Sequence, residues 1–334
     1  MTPKSFLLLA GITTISLVAV LATGIGGHGA APTVGAGRPL FPDLAARSAE
    51  IASLTLRAAD GAEIVVARDD GRFVDRDSGY PVDEAKLREL VRALVMAEIA
   101  EAKTADPARH ADLTLAAPGA ARGAGREVVL ADASGAPLAD VVIGARDYTL
   151  GGALGGQYMR RGGEDATWLA RARIDPPARR ADWFDRGLTD FGADRVARLV
   201  LSPAEGEAIT LVRRDGALEI EGGLPAGRQA NRSNIDRLAR LIGGLSFADV
   251  RRATGAPAEG ATIRAAVADG PTVVLTALPA ESETDWIRIS VEGDGEMADA
   301  LRARVAGFDF ALSSYDAAPL GWTADDLTEP ESAS

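Results

Sequence analysis

The chain contains no cysteine, and this absence excludes disulfide bonds, thiolate metal ligands, cysteine nucleophiles and lipid attachment through cysteine. Histidine is nearly absent: His28 and His110 form neither the His-x-x-x-His nor the Glu-x-x-His spacing that is typical of metal sites. Basic residues form no cluster interleaved with aromatics, and the net charge is -12. Nucleic acid is therefore not expected as a partner.

The usual motifs of covalent catalysis are also missing. No Gly-x-Ser-x-Gly elbow and no Ser-x-x-Lys pair occurs, so serine acylation has no candidate nucleophile. Asp69-Asp70 and Asp325-Asp326 are carboxylate pairs, but adjacent residues on a strand point to opposite faces, and both pairs lie beside turns or a chain end. We expect His110 to pack in a loop. The sequence thus predicts no catalytic residue, no metal site and no cofactor.

The N-terminus carries a long uncharged run. Residues 5–25 contain no charge and are long enough to cross a bilayer as a helix, so we expect a transmembrane anchor there that contacts lipid, after a cytoplasmic N-terminus at residues 1–4. A cleaved signal peptide ending near Ala22-Thr23-Gly24 is the alternative. Both place the body in the periplasm, outside a bacterial inner membrane. Residues 26–43, rich in Gly, Ala and Pro, are expected to form a flexible tether.

One amphipathic stretch occurs twice. From Tyr80 to Lys103, apolar residues recur at helical spacing, which predicts a helix with one buried stripe and a cap at Asp83. The same register returns 148 positions later, where Asn231, Ile235, Leu238, Ile242 and Phe247 stand for Asp83, Leu87, Leu90, Leu94 and Ile99. A helix repeated with its flanking strands indicates two copies of one folding unit.

The strands around each helix show tight turns and alternating patterns. Asp70-Gly71 and Asp215-Gly216 are matching turns between matching strands, and tight turns join antiparallel neighbours. Each unit is also expected to close with a tryptophan, Trp183 or Trp322. The predicted fold class is α+β: two duplicated units, each an antiparallel β-meander packed by one main helix, following the transmembrane helix. The expected bounds are residues 44–192 and 193–330, with a tail at residues 331–334.

Positive charge meets aromatic side chains at one place. Arg160 and Arg161 lie between Tyr158 and Trp168, so these four residues are a possible contact for an anionic ligand or a partner's carboxylates. The alternative is that strand alternation turns one arginine outward beside an inward Tyr or Met.

The order of these features resembles the bacterial domain of unknown function 4340 (DUF4340) family. The resemblance is carried by Tyr80-Pro81-Val82-Asp83 before the helix, Glu101 to Asp106 after it, Leu113 and Trp183. It covers about residues 46–330 and implies no catalytic residues. Some members of that family accompany gliding-motility-type ABC transporter components. We therefore expect a non-catalytic accessory or scaffold with ABC-type transporter subunits or other envelope proteins as partners. The alternatives are an envelope hydrolase using acidic residues and a periplasmic small-ligand sensor with its site between the units.

Overall fold

Two antiparallel sheets of eight strands dominate the computed structural model, which describes residues 36–255, 260–279 and 284–331. The first sheet has the order β3-β2-β1-β5-β6-β7-β8-β4. Its strands are β1 (Ser53–Arg57), β2 (Glu63–Asp69), β3 (Arg72–Asp75), β4 (Glu98–Ala102), β5 (Arg126–Ala131), β6 (Pro137–Asp147), β7 (Gly156–Arg161) and β8 (Thr167–Arg171).

The second sheet repeats this arrangement with the order β11-β10-β9-β14-β15-β16-β17-β13. Its strands are β9 (Val196–Ser202), β10 (Ile209–Arg214), β11 (Ala217–Ile220), β13 (Asp249–Arg252), β14 (Thr262–Val267), β15 (Thr272–Ala277), β16 (Trp286–Glu292) and β17 (Phe308–Ala311). A separate pair joins β12 (Arg228–Ala230) to β18 (Thr328–Pro330).

Helices are few and short. The α-helices are α1 (Leu44–Arg47), α2 (Glu84–Val95), α3 (Arg232–Gly243), α4 (Glu296–Val305) and α5 (Ser314–Ala317). Short 3-10 helices cover Ser48–Glu50, Pro107–Leu113, Arg180–Trp183, Ala193–Arg195 and Ala318–Gly321.

The predicted fold class is wrong, because the protein is mostly antiparallel β-sheet and its sheets are not simple meanders. A meander places consecutive strands side by side, whereas β3 and β4 lie at opposite edges of the first sheet. The chain passes through α2 between these two strands, and β4 then pairs with β8 at the far edge. The strand after α3 does the same, pairing with β17.

The predicted transmembrane helix falls in a part of the chain that the structure does not describe. Within residues 36–255, 260–279 and 284–331, no helix is long and apolar enough to cross a membrane. The span predicted at residues 5–25 and the segment at residues 1–4 lie outside the described residues.

The helix α2 is shorter than its periodicity suggested. Asp83 caps it as expected, since its carboxylate accepts a hydrogen bond from the Ala85 N–H at 2.9 Å. Leu87, Leu90 and Leu94 are buried. Ile99 continues the helical spacing but lies on β4, opposite Ala170 of β8. The helix ends before Ile99 because this residue pairs with a neighbouring strand, and such pairing cannot be read from the local sequence pattern.

Each sheet begins with a short segment along its edge. The Leu40 N–H donates to the Ala97 carbonyl, and 148 positions later the Leu188 N–H donates to that of Leu245. Leu40 is fully buried, so the described part of the tether predicted at residues 26–43 is not flexible, while residues 26–35 lie outside the described residues. Leu188 likewise belongs with the second sheet, which places the junction near residue 185 instead of 192. We call residues 36–185 the first unit and 186–331 the second unit.

An aromatic cluster joins the two units. Tyr80 is 3% exposed, and its ring makes edge contacts, with centroids 4.9–5.8 Å apart, to the rings of four phenylalanines: Phe184, Phe247, Phe308 and Phe310. Arg180 donates both to Asp75 of the first unit, at 2.8 Å, and to Asp249 of the second, at 2.5 Å. One continuous hydrophobic core runs through both units.

Candidate functional site

An open groove of about 900 Å³ lies beside α2 in the first unit. One wall is the helix, another is the extended segment that follows β8, and the loop between β6 and β7 contributes Leu154. The lining residues are Lys86, Glu89, Leu90, Arg92, Ala93, Met96, Leu154, Ala172, Arg173, Ile174, Asp175, Pro176 and Pro177. This volume falls within the range of natural ligand sites, about 300–1,000 Å³.

The floor of the groove is apolar and part of its rim is exposed. Leu90 and Ile174 are 5% and 0% exposed. Met96 and Leu154, by contrast, expose 60% and 50% of their surfaces. Exposed apolar side chains around a concave surface are a common feature of interaction sites.

The groove exists because the chain leaves β8 by an extended route. The side-chain amide of Gln157 holds both the N–H of Ile174, at 2.9 Å, and its carbonyl, at 3.2 Å. Pro176 and Pro177 then disfavour a helical conformation. The Trp183 indole N–H donates to the Pro177 carbonyl at 3.1 Å, which fixes the far end of the segment.

Three cations, Lys86, Arg92 and Arg173, and two anions, Glu89 and Asp175, line the groove. The Lys86 ammonium donates to the carbonyls of Asp182 and Phe184 at 2.7 and 3.0 Å. Within the described part of the chain, the side chains of Glu89, Arg92 and Arg173 have no hydrogen-bond or ion-pair partner. Asp175 is neutralised from outside the groove, by Arg126 at 2.8 Å and by Arg146 at 3.3 Å.

The matching place in the second unit is filled. At the offset of 148, Arg237, Arg240 and Leu241 of α3 and its C-cap Gly244 stand for Glu89, Arg92 and Ala93 of α2 and its C-cap Met96. There the chain forms α5 and the following 3-10 helix against α3, and only about 120 Å³ remains. The Arg237 guanidinium lies 3.5 Å from the centre of the Tyr315 ring and 5.1 Å from that of Trp322, and it donates to the Tyr315 carbonyl.

The length of the closing connection explains this difference. The backbone N–H of the first helix cap, Asp83, donates to the Trp183 carbonyl. At the equivalent cap of the second helix, the Asn231 N–H donates to the Leu327 carbonyl. Residues 172–182 lead from β8 to the first of these carbonyls, and residues 312–326 lead from β17 to the second, which is four residues more. The extra residues form the turn that fills the second groove. Trp183 and Trp322 therefore do not occupy matching positions, although the sequence suggested that they would.

The four residues predicted as a possible ligand contact do not converge on one surface. Arg161 donates twice to the Leu40 carbonyl, at 3.0 and 2.8 Å, and its guanidinium lies 4.9 Å from the centre of the Trp168 ring. Arg160 and Tyr158 lie on the opposite face of the sheet, since they pair with Thr167 and Leu169 while Met159 pairs with Trp168. Arg160 donates to the carbonyls of Leu115 and Glu164. None of the four lines the groove.

The Tyr158 hydroxyl is part of a small network that anchors the loop carrying Leu154. It donates to Asp147 at 2.9 Å, and the Thr149 hydroxyl and N–H donate to the same carboxylate at 2.5 and 2.7 Å. These hydrogen bonds, chiefly those from Thr149, lower the pKa of Asp147 to about 2. Burial and the neighbouring carboxylate raise the pKa of Tyr158.

The other residues considered for chemistry have structural contacts. His110 is buried in the connector between β4 and β5, with its Nε2 2.9 Å from the Asp165 carbonyl. Asp70 adopts a left-handed turn, Asp325 pairs with Arg228, and Asp326 accepts from Thr323. Within residues 36–255, 260–279 and 284–331, no group of three or more His, Cys, Asp or Glu side chains could hold a metal ion.

Fold and groove together define a two-unit antiparallel β protein that has an open groove beside the first helix. The chain belongs to the family described as a domain of unknown function, DUF4340, whose sequence profile matches residues 73–263, more than half of its length. This confirms the expected family. The matched region begins in β3 and ends in β14, so it contains both main helices. No curated protein and no solved structure matches the chain.

Proposed function

We propose that this protein is a binding module without catalytic activity, which serves as an accessory or scaffold in ABC-type transport or envelope assembly. Its first-unit groove holds a polypeptide segment of a partner. The observation that carries this proposal is the contrast between two equivalent places. The second unit covers the flank of its helix with its own chain, whereas the first leaves the same flank, with Leu90 and Ala93, open.

The open flank has the composition of a protein-binding surface. Its floor is apolar and already ordered by the hydrogen bonds of Gln157 and Trp183, so little conformational entropy is lost when a partner binds. Charged side chains lie at the rim, as in most interfaces between proteins. The chain belongs to the DUF4340 family, and the expectation that some members accompany ABC-type transporter components supports this class of partner.

We place this function in the bacterial periplasm. The proposal rests on the uncharged run of residues 5–25, which is typical of exported chains. A fusion of alkaline phosphatase to the C-terminus tests it, because the enzyme is active only after export. An active fusion supports a periplasmic body, and an inactive but full-length fusion contradicts it.

Site-directed photo-crosslinking in living cells tests the binding function. A photoreactive residue at position 96, in place of the exposed Met96, should cross-link a transporter subunit or another envelope-assembly protein identified by mass spectrometry. Leu224, 44% exposed in the second unit, is the matched control and should give no such adduct. Adducts at position 96 no more abundant than at position 224, or only with unrelated proteins, would contradict the proposal.

The volume of the groove also suits a small molecule, which is the second candidate. A ligand that binds only the folded state raises the melting temperature, and the increase grows with the ratio of ligand concentration to dissociation constant. A thermal-shift panel of metabolites distinguishes a small-molecule ligand from a polypeptide partner. The panel is repeated on Ala93→Trp, in which the larger side chain fills the groove. A shift seen with the natural protein and lost in Ala93→Trp would favour the sensor.

A further inference from the structure

We infer that the partner segment held by the first-unit groove is acidic and consists of one helical turn followed by proline, with its carboxylates bound by Arg92 and Arg173. This inference rests on the proposed function, since it assigns the chemistry of the segment that occupies the same groove. It follows from two observations, the shape of the segment that fills the matching place and the charge of the open groove.

The shape comes from residues 312–321, which fill the flank of α3. The Ser313 hydroxyl caps the turn by accepting from the Asp316 N–H at 3.1 Å. Ala317 and Leu320 then turn inward and are 7% and 8% exposed, while Pro319, in the 3-10 helix that follows the turn, packs against α3. One capped turn continued by a proline-containing 3-10 helix, with a small and a large apolar residue, is therefore sufficient to fill such a flank. In the first unit, Leu90 and Ala93 present the same kind of helix wall.

The charge comes from the side chains that line the open groove. Glu89 stands where Arg237 stacks on Tyr315, so an aromatic residue of the occupant has no guanidinium to stack on at that position. Arg92 and Arg173 remain, and neither has a side-chain partner among the described residues. Because Arg126 and Arg146 neutralise Asp175, the lining retains three cations, Lys86, Arg92 and Arg173, against the single carboxylate of Glu89, so its net charge is positive.

The negative charge of the rest of the chain increases this selectivity for an acidic segment. With a net charge of -12, most of the surface repels an acidic segment, whereas the groove attracts it. Arginine suits this role because its planar fork binds a carboxylate through two parallel hydrogen bonds. Met96 and Leu154, which are exposed in the free protein, would be covered by the apolar side of the same segment.

Two synthetic peptides test the inference on the full-length protein. Both peptides are variants of the segment of residues 312–321. The acidic peptide carries Ser314→Glu and Ala318→Glu, at positions exposed in the second unit. The basic peptide carries lysine at these two positions and Asp316→Asn. In calorimetric titrations at low salt, the acidic peptide should bind at least about tenfold more tightly.

Variants of the protein show whether the two arginines cause this preference. Arg92→Gln with Arg173→Gln should weaken binding of the acidic peptide by about five- to tenfold, because each exposed pair contributes modestly. Neither arginine has a side-chain partner to lose, so the fold should be unaffected. Arg88→Gln is the matched control on α2: its guanidinium donates to the Glu84 carbonyl and does not line the groove. It should bind as the natural protein does.

Three results would overturn the inference: equal binding of both peptides, no binding of either, or an equal loss in Arg88→Gln. Vesicles of anionic phosphatidylglycerol provide a further arm. Sedimentation with vesicles that depends on Arg92 and Arg173, without peptide binding, would assign the groove to an anionic amphiphile. If position 96 still cross-links a transporter subunit while the acidic peptide fails, the proposed function stands and only the acidic chemistry is wrong.

Discussion

The helices α2 and α3 occupy equivalent places in their units, but different structures lie beside them. Residues 312–326 fold back on α3, whereas residues 172–177 pass α2 in an extended conformation before the 3-10 helix Arg180–Trp183. The connection beside α3 is four residues longer than the one beside α2, and the shorter connection contains a Pro-Pro pair. These differences account for the filled flank in one unit and the open groove in the other. A duplicated unit can therefore keep its sheet order and its helix while one copy becomes available for binding. The difference lies in a connection, where insertions are tolerated and function concentrates.

The comparison requires that both units behave as one folded body, and Tyr80 is the strongest test of that. Tyr80→Ala should lower the free energy of unfolding by about 3–5 kcal/mol, because it removes a large buried ring surrounded by four phenylalanines. Urea unfolding followed by circular dichroism measures this loss.

The matched control for Tyr80 is Tyr148→Ala, since Tyr148 is 86% exposed. It should change the free energy of unfolding by no more than about 0.5 kcal/mol. Two separate unfolding transitions in the natural protein, or equal effects of both substitutions, would show that the units are independent and that the junction does not hold them together.

A leucine at each flank allows the filled and open places to be compared directly. Leu320→Ala should cost about 2–3 kcal/mol, the lower part of the range for buried leucine, because Leu320 retains 8% exposure. Leu154→Ala, at the rim of the open groove with 50% exposure, should cost no more than about 0.5 kcal/mol. Thermal or urea unfolding of the two variants measures the free energy of unfolding that each substitution removes. Similar costs would mean that the open groove is already covered in the free protein.

The stacking of Arg237 in the second unit should contribute less. Tyr315→Ala should destabilise by about 0.5–1 kcal/mol, the range of an exposed cation–π contact, since Tyr315 itself is 63% exposed. Tyr315→Phe keeps the ring and should be almost neutral. If both variants lose the same free energy, the hydroxyl and not the stacking holds the segment in place.

Local chemistry made several features of the fold predictable from sequence. Asp83 is a helix cap by residue type, and Asp70 and Asp215 precede glycine in turns where their φ angles are +46° and +47°. The position of β4 was not predictable, because strand pairing across eight strands leaves no mark on neighbouring residues. Ile99 lies on β4 but fits the helical spacing, so the sequence pattern predicted a helix that extends beyond its observed end.

The candidate site was less accessible to sequence reasoning than the fold. Arg160 and Arg161 were chosen because they lie near aromatics along the chain, but strand alternation places them on opposite faces. The groove depends instead on the length of a connection and on its path across a helix. The signal that could have revealed it is the Pro176-Pro177 pair beside an apolar helix end at Met96, compared with the longer connection of the second unit. Only an alignment of the two closing segments would have brought these features together.

The smallest expected effect concerns the loop that carries Leu154, which forms one wall of the open groove. Asp147 has a folded-state pKa of about 2, below its ordinary value of 3.8. Its ionised form therefore stabilises the loop fully above about pH 4, and this contribution is lost as the pH falls towards 2. NMR titration of the Asp147 carboxyl should show a midpoint near 2, together with shifts of residues 148–155 over the same range. Asp147→Asn should abolish that acid step, and Tyr158→Phe, which removes one donor, should move the midpoint upward. A midpoint near 3.8 in the natural protein would show that Thr149 and Tyr158 do not hold the carboxylate, so this wall of the groove would lack the anchor assigned to it.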